Sequence, residues 1–289
     1  MASSRDIRNR IRGVDSTRQI TRAMELVATS RLRRAQEAVL ARRPYADKIS
    51  DVVRNLFEAT PPDEGLPRLM QTHDVNNAAI IVLTTNRGLC GALNINTVRF
   101  ALEHLQTIRE LPAELILVGI GKVGLRMLRG IGTLVAGFTE IPDRPGIDDI
   151  LPLARLVIDG FTSGEFDSVD IIYPKFVNTL IQQPVLTPLL PVVLPETGEP
   201  TRQLQYLYEP GPRQVLENLL PRYVEMELFR ATLEMTASEH SARMVAMRNA
   251  TENAGDLIDE LTLLYNRQRQ SAITSEMIDI ASGASALAQ

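Results

Sequence analysis

The sequence predicts an α/β protein in which two long terminal helices, each carrying a coiled-coil seam, flank an inserted domain with a mostly parallel sheet. Three observations predict it. Residues 222–289 contain no proline and only two glycines, Gly255 and Gly283, and are rich in strong helix formers. A stripe at three- and four-residue steps runs Met226, Arg230, Leu233, Ala237, His240, Met244, Met247, Thr251, Ala254, Ile258, Leu261 and Tyr265, and nine of these twelve positions are apolar or Ala. That 3.5-residue repeat belongs to a helix burying one narrow seam against another helix. In the middle of the chain the period changes, and short apolar runs alternate with helical stretches, the pattern of parallel βαβ units.

In chain order, Ser3-Ser4-Arg5-Asp6 has the form of a helix start with an acid in the first turn. Ile7, Ile11, Val14, Ala28, Leu32, Ala35, Val39, Ala46, Ile49, Val53 and Leu56 then share one stripe. Between Arg18 and Glu25 the stripe turns polar, and Ile20, Met24 and Val27 are expected to take over on a shifted phase. Pro44 should kink this helix, because it removes a backbone bond and crowds the Leu40 carbonyl. Thr60-Pro61-Pro62-Asp63-Glu64-Gly65 stops it.

The inserted domain reads as strands at 78–83, 115–118, 133–138 and 168–173 and helices at 94–110, 122–129 and 147–161, a Rossmann-like alternation. Further strands are expected at 187–193 and 205–208, and Pro184, Pro188, Pro191 and Pro195 mark edge strands. Gly211-Pro212 closes the domain, and Arg213 to Leu220 leads into the long helix past Pro221. The expected division is 1–59, an N-terminal coiled-coil helix; 60–212, an inserted α/β domain; and 213–289, a C-terminal coiled-coil helix. The two helices should pair antiparallel, with the C-terminal end projecting ~20 Å or more beyond the pair. An overhang bearing Ile273, Met277, Ile278, Ile280 and Leu287 needs enclosure by another protein.

Composition narrows the function. A single cysteine, Cys90, gives no disulfide framework, and three scattered histidines offer no metal-ligand spacing. There is no run of 18 apolar residues, hence no expected membrane span. Eleven arginines stand against four acidic residues within 1–43, although the whole chain carries a net charge of -4. That basic arm is open to three functional readings, a targeting presequence, a nucleic-acid contact or a dock for an acidic protein surface, besides a plain solvated helix face. Asp6, Asp15, Glu25 and Glu37 count against a presequence, and the absence of an aromatic before Tyr45 counts against single-strand binding.

Gly119-Ile120-Gly121-Lys122-Val123-Gly124 is a literal G-x-G-x-x-G between a strand and a helix, and suggests a dinucleotide-binding oxidoreductase. It follows the second strand instead of the first, and the acidic residue expected for the ribose, Glu140, lies past the next strand. Close strand-to-helix packing accounts for those glycines better. The loop 84–91 lacks the phosphate-loop pattern G-x-x-x-x-G-K-[ST], Cys90 reads as a packed residue, and no catalytic set, cofactor site or metal site is expected.

Several stretches resemble the gamma subunit of F-type ATP synthases: Ile20-Thr21-Arg22-Ala23-Met24-Glu25, Thr85-Asn86-Arg87-Gly88-Leu89-Cys90-Gly91-Ala92-Leu93-Asn94, Ala242 to Thr251, Tyr265 to Thr274, and Ser282-Gly283-Ala284. The resemblance covers essentially the whole chain. It implies a central rotor stalk whose coiled coil sits inside three alternating pairs of alpha and beta subunits. Its α/β domain would contact the epsilon subunit and the membrane ring of c subunits, with no nucleic acid and no direct bilayer insertion. The implied location is the cytoplasmic face of a bacterial plasma membrane, where proton flow turns the ring.

By that resemblance Asn266, Arg269, Gln270, Thr274 and Glu276 are expected to contact the beta subunits, as are Met24 and the basic Arg31, Arg33 and Arg34. The apolar tip would be Ile273, Met277, Ile278, Ile280 and Leu287, and the foot contacts Tyr206, Tyr208 and Glu209. Two departures from the family pattern stand out. Asn86 replaces its usual Asp, and residues 173–221 lack the cysteines of the thiol-regulated photosynthetic members.

Overall fold

The computed structural model describes residues 4–61, 63, 65–109, 114–131, 133–139, 141–193 and 208–287, leaving out the side chains of 43, 46, 47, 107–109 and 283–287. The elements run α1 (Ser4–Ala59), a 3-10 turn (Arg68–Met70), β1 (Asn77–Leu83), α2 (Leu93–Arg109), β2 (Glu114–Ile120) and α3 (Lys122–Leu128). They continue as β3 (Thr133–Phe138), α4 (Leu151–Ser163), β4 (Ser168–Phe176), β5 (Gln182–Leu190) and α5 (Pro212–Leu287). The chain divides into two compact units, one of residues 1–28 with 244–289 and one of residues 29–243.

The larger unit is built on a five-stranded sheet in the order β3-β2-β1-β4-β5. β1 pairs parallel with β2 and β4, and β2 with β3, while β5 returns antiparallel along β4. α2, α3 and α4 are the crossovers that parallel strands require. β1 is the centre: Ala79, Ile81 and Leu83 face one core, and Ala78, Ile80 and Val82 face the other. The second core is closed by Val98, Ala101 and Leu105 of α2. The first is closed by α4 and by segments of both terminal helices, Val53 and Leu56 of α1 with Leu216, Leu220, Val224 and Leu228 of α5. A strand buried on both faces needs a continuous apolar run, which is why 78–83 is uninterrupted.

Several boundaries move from the expected ones, for physical reasons. α5 runs unbroken through Pro221, so the helical lead expected at 213–220 is continuous with the long helix. Leu216, Leu220, Val224 and Leu228 are all fully buried on one stripe spanning the proline, and this packing outweighs the ~3 kcal/mol that an interior proline costs. α1 likewise continues through Pro44. α4 starts at Leu151, because residues 147–150 form a separate turn and Pro152 suits a first helical turn. The strand expected at 187–193 is β5 at 182–190, held in register by the hairpin with β4, and it lies at the sheet edge as its prolines require. The strand expected at 205–208 falls on positions that, apart from Tyr208, lie outside the described residues.

The glycine-rich turn settles its own reading. A Cβ at Gly121, whose φ is 89°, would lie 2.2 Å from the Thr84 carbonyl oxygen, and one at Gly124 would lie 2.4 Å from Thr84 Oγ1. The first backbone N–H groups of α3 are already engaged. Lys122 N donates to Asn86 Oδ1 (3.2 Å), Val123 N to the Thr85 carbonyl (3.2 Å) and Gly124 N to Thr84 Oγ1 (2.9 Å). These are the donors a pyrophosphate would use. The loop after β1 occupies the place of a dinucleotide, and the oxidoreductase alternative has no support.

In the smaller unit, α1 and α5 are antiparallel: Arg8 reaches Tyr265, Thr21 meets Thr251 and Glu25 meets Arg248. The stripe on α5 is buried there as its period requires, with Met244, Met247, Ala254 and Leu261 all in the core. The phase shift expected in α1 does not occur. Ile20 and Val27 are 58% and 53% exposed, and the seam instead stays in phase through Thr21 and Glu25. It does so because polar partners meet there. The Thr21 and Thr251 hydroxyls lie 2.8 Å apart, and Glu25, 4% exposed, accepts from Arg248 Nε across the seam (3.2 Å) and from Arg22 (2.8 Å).

Two stability measurements check this. Gly124→Ala should lower the unfolding free energy by about 2 kcal/mol, read as a lower urea midpoint at unchanged m-value, whereas Gly255→Ala, whose Cβ meets nothing within 4 Å, should stabilise by up to ~1 kcal/mol. Equal effects at the two positions would contradict the packing role of Gly124. His240 is buried, and desolvation, reinforced by Arg243 and Arg31 and opposed by Asp143, pushes its pKa down to about 4. The unfolded histidine binds a proton near its ordinary value of 6.5. Stability relative to His240→Gln should therefore fall as pH drops from 6.5 toward about 4. Parallel pH profiles for the two proteins would contradict it.

Candidate functional site

Past Tyr265 the smaller unit changes character. From Asn266 to Ser282 every residue except Gln268 is exposed, although the segment stays helical to Leu287. Ala, Gln, Arg, Met and Glu supply the propensity, and among the described residues no partner helix shares the burial. At 100° per residue, Ile273, Met277 and Ile280 form a central apolar strip. Arg269 and Glu276 border it on one side, and Gln270 and Thr274 on the other, with Asn266 at the near end. Together they fill about 160° of arc, turned about a third of a turn from the buried seam. Ile278 falls outside this arc. Ile273, Met277, Ile278 and Ile280 are 47%, 59%, 59% and 69% exposed, the pattern of an uncovered contact face. Thr274 Oγ1 donates to the Gln270 carbonyl (2.9 Å). Leu287 ends α5, and its side chain lies outside the described ones.

In the same unit Met24 is half-buried beside the enclosed Glu25, and Ile20, Leu26 and Val27 are exposed around it. An open depression of about 670 Å³ is lined by Arg18, Gln19, Arg22, Ala23 and Leu26 of α1 and by Thr251, Glu252 and Gly255 of α5. The missing side chain at Gly255 leaves part of that space.

The basic residues lie in the larger unit. Arg31 is in an ion pair with Asp143, Arg33 Nε lies 3.1 Å from Glu37 Oε1, and Arg34 Nε donates to the Ser30 carbonyl (3.2 Å). Arg33 and Arg34 are exposed, so only these two of the three present a solvated cation. Arg31, Arg34, Arg42 and Arg144 surround a groove of about 870 Å³ with Glu37 and Asp143. Tyr208 is half-buried against the first core and Glu209 is exposed, while Tyr206 lies outside the described residues. The expected site residues therefore fall in three places: the α5 tip, the α1 segment around 24 to 34, and the chain before α5.

The Thr85–Asn94 motif is a closed polar turn. Asn94 accepts from Thr85 N (3.0 Å) and donates to Thr85 Oγ1 (2.8 Å), and burial pushes the Cys90 thiol pKa up, as suits a packed residue. Arg243 on α5 holds the turn from outside, donating to the Gly88 carbonyl (3.2 Å) and to Glu239 (2.7 Å). Asn86 also finds its reason. Its Nδ2 donates to the Ile141 carbonyl (3.2 Å) while its Oδ1 caps α3, and a carboxylate could do only the second. Sequence reasoning missed Glu25, Arg248, Glu239 and Arg243 as contact residues. The available signal was that Glu25 keeps the seam register despite its charge.

Among the described residues there is no cluster of His, Cys, Asp and Glu able to hold a metal ion, and no helix is long and apolar enough to cross a membrane. A family model described as ATP synthase matches residues 3–287. Bacterial proteins described as ATP synthase gamma chain are similar over full length: that of Roseiflexus castenholzii is 48% identical over all of both chains, and that of Chloroflexus aurantiacus 46% identical over 99% of each. In fold, the chain is similar to a rotor chain of the Euglena gracilis mitochondrial ATP synthase, with a TM-score of 0.63 and 20% identity over 93% of this chain and 98% of that one. It is also similar to a chain of the Tetrahymena thermophila mitochondrial ATP synthase central stalk and c-ring, with a TM-score of 0.62 and 22% identity over 80% of this chain and 99% of that one. A family match over residues 3–287 and full-length identity of this order place the chain in the ATP synthase gamma chain family.

Proposed function

We propose that this chain works as the central rotor stalk of an F-type ATP synthase, carrying no catalytic site and converting proton-driven rotation into ATP synthesis elsewhere. The observation that carries the reading is the exposed helical tip of α5, where an apolar strip edged by polar groups has no cover among the described residues. A ring of three alpha and three beta subunits supplies that cover. Residues 1–59 and 213–289 form the shaft, and residues 60–212 form the foot, which meets the epsilon subunit and the c-subunit ring through Tyr206, Tyr208 and Glu209. The complex is peripheral on the cytoplasmic face of a bacterial plasma membrane, in keeping with the bacterial relatives.

The mechanism needs only asymmetry. A nucleotide site shifts between states when its contacts to the shaft differ between those states. Ile273, Met277, Ile278, Ile280 and Leu287 form the bearing, which is apolar and lets the tip slide. Asn266, Arg269, Gln270, Thr274 and Glu276 form directional hydrogen bonds to one beta subunit at a time. Met24, with the basic face of Arg31, Arg33 and Arg34, meets acidic beta-subunit surface as the shaft turns, and Arg33 and Arg34 carry most of that charge.

Replacing Arg269, Gln270 and Thr274 together by Ala in the assembled complex tests this. ATP synthesis driven by a proton gradient should fall at least about tenfold, as expected for the loss of charge-assisted bonds worth ~1.5–3 kcal/mol, while the complex stays assembled. Undiminished coupling in that variant would remove these residues from the torque path.

A further inference from the structure

A five-stranded open sheet has two edges, and here they are β3 and β5. The two are built differently. β5 carries Pro184 and Pro188, each lacking an N–H, so that edge cannot template a further strand. β3, Thr133-Leu134-Val135-Ala136-Gly137-Phe138, carries no proline and no charge, and Leu134 and Val135 are 39% and 43% exposed. Among the described residues its ladder partner is β2, and its one further backbone bond, from Gly121 N to the Phe138 carbonyl (2.8 Å), lies on that same side. The outer row of N–H and C=O groups has no backbone partner there. Neither device that usually protects an edge strand, an edge charge or a proline, is present on β3.

The ground beside that edge is cationic. α3 packs over β2 and β3 through Leu125, against which a Cβ at Gly119 or Gly137 would collide. Lys122 and Arg126 of α3 and Arg129 just after it are exposed, and none is in an ion pair among the described residues. The α3 segment itself contains no acidic residue. A second copy of this chain is a poor occupant, because pairing β3 with β3 would set two such cationic helices against each other.

We propose that the outer edge of β3 is a docking site for an extended segment of a partner protein that alternates apolar and acidic residues. The segment joins the sheet as a sixth strand by main-chain hydrogen bonds. Its acidic side chains lie on the α3 face and meet Lys122, Arg126 and Arg129, while its apolar side chains lie on the opposite face, beside the half-buried Ala136 and Phe138. The site uses residues of the larger unit and none of the α5 tip, so it holds or fails independently of the rotor reading.

The test uses the full chain and a fluorescent alternating Glu-Val peptide of about ten residues, long enough to span β3. Fluorescence anisotropy should show saturable binding, at least about tenfold weaker for the Arg126→Glu/Arg129→Glu variant and for a Lys-Val peptide. Circular dichroism should show that variant to be folded. Amide exchange across 133–138 should slow when the peptide is bound. Two further peptides, N-methylated at alternate residues along one edge or the other, separate strand pairing from loose charge contact: one should lose binding and the other keep it. Absence of binding, equal binding of both N-methylated peptides, binding indifferent to charge, or a sedimenting dimer that excludes the peptide would each overturn the proposal.

Discussion

The register between α1 and α5 is the constraint on which the smaller unit depends. An apolar stripe repeating every 3.5 residues favours pairing but tolerates slippage by a whole heptad, since Ala and Met pack against many neighbours. Polar contacts at the middle of the seam remove that freedom. Thr21 opposite Thr251 and Glu25 opposite Arg248 are satisfied together only in one alignment, and Arg8 with Tyr265 fixes the far end by a hydrogen bond and a ring contact at 5.2 Å. A slipped pair would bury Glu25 without its cross-helix donor, a far larger loss than a misplaced methyl group. The alignment also decides where α1 ceases to cover α5, and so where the exposed face begins.

The larger unit shows a nucleotide-type fold used for another purpose. The strand-turn-helix of β2 and α3 keeps the glycines of a phosphate cradle, yet Thr84, Thr85 and Asn86 fill it and cap the helix. The same loop is pinned by Arg243 from α5, and Arg31 of α1 joins Asp143 nearby. Donors that could have bound an anion instead tie the turn after β1 to α3 and to both terminal helices. Those groups are spent within the fold and are not offered to a ligand.

Most of this was legible in the sequence because it rests on period. Continuous burial of β1 on both faces needs an unbroken apolar run, and the seam of α5 needs its 3.5-residue spacing; both patterns are local. What misled was also local. Ile20 and Val27 look like core by composition, but burial goes to Thr21 and Glu25, whose partners Thr251 and Arg248 stand more than 200 positions away. The helix on both sides of Pro221 was legible, but its continuity through the proline was not, because the cost is intrinsic and the compensation tertiary. The tip residues were legible as a helix with apolar positions, but their roles came from resemblance, since an uncovered face does not name its cover. The role of Asn86 needed the position of the Ile141 carbonyl, which no spacing encodes.

A helix that remains regular while losing its partner, and that presents isoleucine and methionine to solvent, is built for contact with another protein. In the proposed rotor that contact lies inside a ring of nucleotide-binding subunits. The most direct test is native mass spectrometry of the complex purified through a tag on this chain. The rotor account predicts one copy of the chain with three copies each of two nucleotide-binding subunits, and loss of that assembly's ATP-synthesis coupling when residues 275–289 are removed. Recovery of the chain alone, or an equimolar complex with those subunits, would contradict it.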